Sequence, residues 1–166
     1  MNICGIDPGV CGAIAFVNGG RVVCHDMPTV EIRGKRRVCA PMLAALLREH
    51  AIDHAVLEEV QGVQGTGATS AFSFGRSFGL VEGVLAALAI PTTLVRPQAW
   101  TKALGVSRDK GQHRQAAMRA WPADAGLFAR VKDDGRADAC LLVQWYLARG
   151  VHGLGMQASI GAIGNA

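Results

Sequence analysis

The sequence predicts an α/β fold built on one mixed sheet, and three observations lead there. Three short apolar runs at the start are separated by turn residues, the pattern of strands joined by hairpins. The middle of the chain alternates helix, strand, helix, strand. The last third reads as helices alone. A length of 166 residues suits one domain, and an apolar half is enough for a sizeable core. The domain is expected over residues 1–150, with 151–166, rich in Gly and Ala, as a fraying tail.

Taken in order, Asn2–Asp7 is a first strand. Pro8-Gly9-Val10-Cys11-Gly12 turns the chain, and Ala13–Asn18 returns antiparallel. Asn18-Gly19-Gly20 is a strong hairpin signal, so Arg21–Met27 makes a third strand. Glu31–Arg37 reads as a basic loop. Pro41–His50 reads as a helix with Met42, Leu43, Leu46 and Leu47 on one face. His54–Val60 is the fourth strand, and Gln61–Gly67 a glycine-rich loop. Ser70–Ala89 is a long helix, with Phe74, Phe78, Val81, Leu85 and Leu88 near helical spacing. Thr92–Val95 is a fifth strand, and Gln98–Leu104, Gln112–Trp121 and Ala137–Arg149 are helices. The right-handed crossover rule is compatible with the fourth strand lying parallel to the first. Asp7 would then meet Glu58 or Glu59 at one sheet edge, where ligands bind in such folds.

A formal net charge of +4 favours a polyanionic partner without establishing one. Five cysteines with no CxxC pair argue against a disulfide framework and against a zinc site. Cys4, Cys24 and Cys140 fall inside strands or a helix, as small buried residues do, and a reducing cytoplasm is the expected setting. No leader segment is read at the start. The apolar stretch Gly79–Ile90 is interrupted by Glu82 and too short to span a bilayer, so no membrane partner is expected.

The chemistry lies in the acids. Asp7 ends the first strand. Glu58 and Glu59 end the fourth and point to opposite faces, so one can join a site while the other is solvated. Asp134 and Asp138, four apart, share a face if the last helix starts near Asp134. Asp133 reads as solvated, and Asp138, leading into an apolar helix, needs a partner, either a basic residue or a metal. Carboxylates converging without Cys or His suit a hard divalent cation, and two such ions roughly 3.5–4 Å apart can clamp a phosphodiester.

Gly5-Ile6-Asp7-Pro8-Gly9, Leu57-Glu58-Glu59-Val60, Phe74-Gly75-Arg76 with Gly79, and Asp134-Gly135-Arg136-Ala137-Asp138-Ala139 together resemble the RuvC-type Holliday-junction resolvases of the RNase H-like superfamily, most closely their phage-encoded branch. The resemblance spans Asn2 to about Arg149. It implies a five-stranded mixed sheet flanked by helices and a homodimer with two active sites. It implies paired symmetric nicking of four-way DNA junctions with two Mg²⁺ (or Mn²⁺) ions per site. Asp7, Glu58, Asp134 and Asp138 would be the metal ligands and catalytic acids, with Lys110 near the scissile phosphate. Two features depart from bacterial members. Their last two aspartates are three apart, whereas Gly135 holds that position here. Gln61 stands where they carry an aromatic residue.

Arg33, Lys35, Arg36 and Arg37 form the densest positive run, either a DNA contact or a solvated hairpin extension. Arg76, Lys102, Arg108, Lys110 and Arg114 could border the same edge. Trp100 reads as core rather than as a base-stacking residue. The long helix has apolar residues on more than one side, and a dimer interface could take the surplus. A sugar kinase or actin-like ATPase opens with a similar turn, but the chain is too short for the second lobe it needs, so no nucleotide cofactor is expected. A broader branched-DNA or flap nuclease, and a non-catalytic DNA-binding protein on the same fold, remain as alternatives.

Overall fold

A computed structural model describes residues 1–59, 67–107 and 109–150. The glycine-rich loop at 61–66, Arg108 and the tail 151–166 lie outside the described residues. Strands β1 (Ile3–Ile6), β2 (Ala13–Asn18) and β3 (Arg21–Asp26) form an antiparallel meander. Gly19 and Gly20, at φ 58° and 80°, make the two-residue turn that the Asn-Gly-Gly signal specifies.

The basic segment expected as a loop is instead a second, two-stranded sheet. β4 (Thr29–Ile32) pairs antiparallel with β5 (Lys35–Val38), closed by Arg33 and Gly34 at φ 53° and 71°. Both central residues of such a turn need positive φ, which arginine rarely adopts. Nothing in Arg-Gly therefore announces the turn. The chain continues through α1 (Ala40–Glu49), β6 (His54–Glu58), α2 (Ala68–Ala87) and β7 (Thr92–Val95). It then forms α3 (Pro97–Leu104), α4 (Lys110–Ala120), two 3₁₀ segments (Pro122–Phe128 and Val131–Asp133) and α5 (Asp134–Gly150). β6 lies parallel to β1, and β7 parallel to β6, so the main sheet runs β3-β2-β1-β6-β7.

Strand alternation sorts the core into two layers. Cys4, Ile6, Ile14, Phe16, Ala55 and Leu57 face α1 and α2, meeting Leu43, Leu47, Val81 and Leu85. Ile3, Ala13, Ala15 and Val56 face α5, backed by Trp100, Ala117 and Phe128. α5 is buried almost all round, as its apolar run from Ala139 to Val143 requires. It also lies against β1 backbone to backbone. A Cβ on Gly5 would fall 1.9 Å from the Ala139 carbonyl oxygen, so only glycine permits the approach.

All five cysteines are free, and the Cys24 and Cys140 sulfurs pack 3.4 Å apart between β3 and α5. Burial pushes the Cys4 thiol up to about 12, which leaves it inert. Among the described residues no helix is long and apolar enough to cross a membrane.

Candidate active site

Ile6 is paired with Leu57, so the next residue on each strand, Asp7 and Glu58, leaves the same end of the sheet. Glu58 shares the parity of Val56 and therefore faces α5, whereas Glu59 takes the other face and pairs with Arg96 at 3.0 Å. Asp7 is held by its own turn. Its N–H donates to the Ala13 carbonyl (3.0 Å), and its carboxylate accepts the Gly9 N–H (3.3 Å). Gly12 passes so close that a Cβ there would sit 2.2 Å from the Asp7 carbonyl oxygen.

α5 starts at Asp134, so Asp134 and Asp138 fall one turn apart on the same side. Gly135 presses its first turn onto the β1–β2 turn, where an added Cβ would meet the Cys11 carbonyl oxygen at 2.9 Å. Asp7, Glu58, Asp134 and Asp138 thus line one open cleft of about 350 Å³, together with Lys110, Gly9, Cys11, Gly12, Gly135 and Phe74. The acids reach it from three elements, the end of β1, the end of β6 and the first turns of α5, and three of them have a partner from α3 or α4. The buried Trp100 donates its indole N–H to Glu58 Oε1 at 2.8 Å. The Lys110 ammonium bonds Asp138 Oδ2, and the Arg114 guanidinium bonds Asp134. The buried His113 sets Nδ1 2.6 Å from Asp138 Oδ1 and Nε2 2.6 Å from the Ser107 carbonyl.

Both partners of His113 offer acceptor oxygens, an arrangement that favours the protonated imidazole. The Asp138 hydrogen bond accordingly raises the His113 pKa against the opposing effect of burial. Burial, then the negative charge of Asp138, pushes Asp7 up to about 6. Burial pushes Glu58 up to about 7, the Trp100 bond lowering it and the Asp7 and Asp138 charges raising it further. Burial pulls Lys110 down, but Asp138, Asp7 and Glu58 outweigh it and the ammonium is held charged. The cleft is thus a concentration of negative charge that Lys110, Arg114 and His113 only partly offset.

Among the described residues no three Asp, Glu, His or Cys side chains are already grouped as metal ligands. Cationic side chains hold two of the four acids instead. The donor set itself is all oxygen and short of positive charge, which fits a hard divalent cation. The Lys110 side chain is 53% exposed and can leave Asp138 without crossing the core.

Asp7, Glu58, Lys110, Asp134 and Asp138 are brought together in this cleft. Asp133, read as solvated, is buried instead, bonded to the Arg130 guanidinium (2.8 Å) and backbone N–H (2.9 Å) in the turn before α5. Arg114, expected at a DNA surface, turns inward to Asp134. Lys102 and Arg76 are exposed on α3 and α2. Arg33, Lys35 and Arg36 are exposed on the β4–β5 hairpin, and Arg37 is half-buried there. Arg36 donates to the Val10 carbonyl (2.8 Å), tying the hairpin to the Asp7 turn. Sequence reasoning did not single out His113. The available signal was its position three residues after Lys110, on the same face of α4.

The five-stranded mixed sheet with helices on both faces is an RNase H-like fold, which this chain shares with solved structures of RuvC. Two of the solved structures that share it are of Thermus thermophilus RuvC. One is Thermus thermophilus RuvC in complex with Holliday junction substrate, at TM-score 0.64 and 15% identity, covering 90% of this chain and 96% of that one. The other is Thermus thermophilus RuvC by itself, at TM-score 0.58 and 15% identity, covering 90% and 97%. No protein-family model and no curated protein matches the chain.

Proposed function

We propose that this protein is a divalent-cation-dependent endonuclease that resolves four-way DNA junctions by paired symmetric nicks. The observation that carries this reading is the meeting of Asp7, Glu58, Asp134 and Asp138 with Lys110 in one open cleft at the carboxyl ends of β1 and β6. The fold shared with a RuvC that holds a Holliday junction substrate supports the choice of DNA. Asp7, Glu58, Asp134 and Asp138 would hold two Mg²⁺ or Mn²⁺ ions, which supply counter-charge and Lewis acidity to a phosphodiester under attack by water. Lys110, freed from Asp138, would neutralise charge gathering on the phosphate. The indole of Trp100 keeps Glu58 turned into the cleft, and the buried layer behind it excludes water from that side.

DNA would continue from the cleft toward the hairpin. Lys35, Arg36, Arg37 and Arg76 border a groove whose other walls include Val10, Phe72 and Leu80, and no acid among the described residues lines it. Sequence-independent phosphate contacts fit such a surface. A homodimer would supply the second active site that paired nicks need. One face of α2 would serve it: Phe72 is 73% exposed, and among the described residues a Cβ built on Gly75, Gly79 or Gly83 meets nothing within 4 Å beyond the adjoining turns of its own helix.

The test is cutting of a mobile four-way junction, a Y-fork and plain duplex by the purified protein, with Mg²⁺, with Mn²⁺ and with EDTA. The expected result is symmetric nicking of the four-way junction alone, dependent on the ion. Cutting of the fork as well would make it a general branched-DNA nuclease. Binding without cutting under any ion would make it a DNA-binding protein on a nuclease fold.

A further inference from the structure

Glu58 and Asp138 are held in the same way from behind. Each has one oxygen bonded to a buried donor: Glu58 Oε1 to the Trp100 indole N–H, Asp138 Oδ1 to His113 Nδ1. Both residues line the cleft. Asp138 Oδ2 meets only the half-exposed Lys110, and Glu58 Oε2 has no hydrogen bond among the described residues. The two donors also touch each other. The Trp100 and His113 rings meet edge to face, centroids 5.1 Å apart at 62°. His113 is braced at its far end by the Ser107 carbonyl, and Trp100 is only 1% exposed.

An ordinary core does not need this arrangement. A buried tryptophan can point its N–H at any backbone carbonyl, and a histidine among apolar neighbours costs desolvation. Here both polar atoms are aimed at the two acids that approach the cleft from opposite elements, β6 and α5. We propose that Trp100 and His113 are a positioning pair. They set the orientation of Glu58 and Asp138 before any cation arrives and keep it when Lys110 withdraws. The inference rests on the proposed function, because it takes these two carboxylates as ligands of a divalent cation. Ligating groups with fixed outer partners bind metal more tightly than free-rotating ones, and loss of such a partner typically costs about 10–100-fold in affinity.

The experiment measures Mn²⁺ binding by calorimetry to the full chain without DNA, and the Mg²⁺ concentration for half-maximal junction cleavage. The variants are Trp100→Phe, which keeps the ring and removes the N–H, and His113→Leu and His113→Gln. Thermal melting identifies which are folded. Trp100→Phe and His113→Leu are each expected to bind Mn²⁺ at least tenfold more weakly, with half-saturation by Mg²⁺ shifted upward to match. His113→Gln, which retains an N–H donor, is expected to recover part of the loss, and a merely space-filling role would give no such rescue. Wild-type Mn²⁺ affinity in the folded variants would overturn the positioning pair while leaving the nuclease reading intact. Failure of the unsubstituted protein to bind Mn²⁺ would overturn that reading, and the pair with it.

Discussion

A carboxylate that has lost its water and faces another negative charge keeps its proton to higher pH. Asp7, at about 6, and Glu58, at about 7, both meet this condition, and both lie well above the ordinary carboxylate range. The sign of the consequence follows directly. The folded protein binds more protons than the unfolded chain between the two pKa values, so stability is lost as pH rises through that interval. For Asp7 the penalty is absent below about pH 4 and complete above pH 6, and it amounts to roughly 2–3 kcal/mol. Asp7→Asn should therefore raise the melting temperature in EDTA at pH 7.5 by several degrees, with no gain near pH 4. Scanning fluorimetry at the two pH values checks it. An equal change at both would show that Asp7 ionises unhindered. The same substitution, like Glu58→Gln and Asp138→Asn, should abolish junction cleavage while DNA binding persists. A stabilised but inactive variant is what a functional acid held at an energetic cost produces.

At the scale of elements, α5 on β1 is the contact that assembles the site. Gly5→Ala would place a methyl group 1.9 Å from a backbone oxygen that cannot move independently of its helix. The expected loss is about 3 kcal/mol or more, read as a lower urea midpoint. Gly135 explains in the same terms why the acid of α5's first turn is Asp134. Its Cα faces the Cys11 and Gly12 backbone, with no room for a side chain at that position. The β4–β5 hairpin was legible as charge but not as structure, because its turn uses an arginine at positive φ. Its role in DNA binding can be tested by Lys35→Ala, Arg37→Ala and Arg76→Ala together, sparing Arg36, which anchors the hairpin to Val10. The slope of log affinity against log salt should fall by about three if each contacts a phosphate. An unchanged slope would clear the groove of that role.

At the scale of the molecule, the proposed symmetric nicks would need two sites, and the described residues of one chain form one acidic cleft. A large side chain on the open face of α2 separates the readings. Gly79→Leu adds bulk where, among the described residues, a built Cβ meets nothing within 4 Å beyond its own helix, so the monomer should fold normally. Sedimentation should show the variant as a monomer, and junctions should receive single, uncoupled nicks. A dimer that survives the substitution would move the interface elsewhere.

The primary chain determined the five strands of the main sheet, the longer helices and the hairpin at Asn18-Gly19-Gly20, and it marked the four acids as candidates. These depend on local spacing, alternation and turn chemistry, which are written in neighbouring residues. Strand alternation alone left Glu58 and Glu59 open, the family resemblance named Glu58, and the parity of β6 turns Glu58 toward α5. The partners of the acids were decided by tertiary structure alone. Trp100, Lys110, His113 and Arg114 reach Glu58, Asp138 and Asp134 across tens of residues, because α3 and α4 fold back over the end of the sheet. An indole N–H or an imidazole has no periodicity to betray its target. Its role is set by where the packing of apolar neighbours leaves it pointing, and that information is distributed over the whole core.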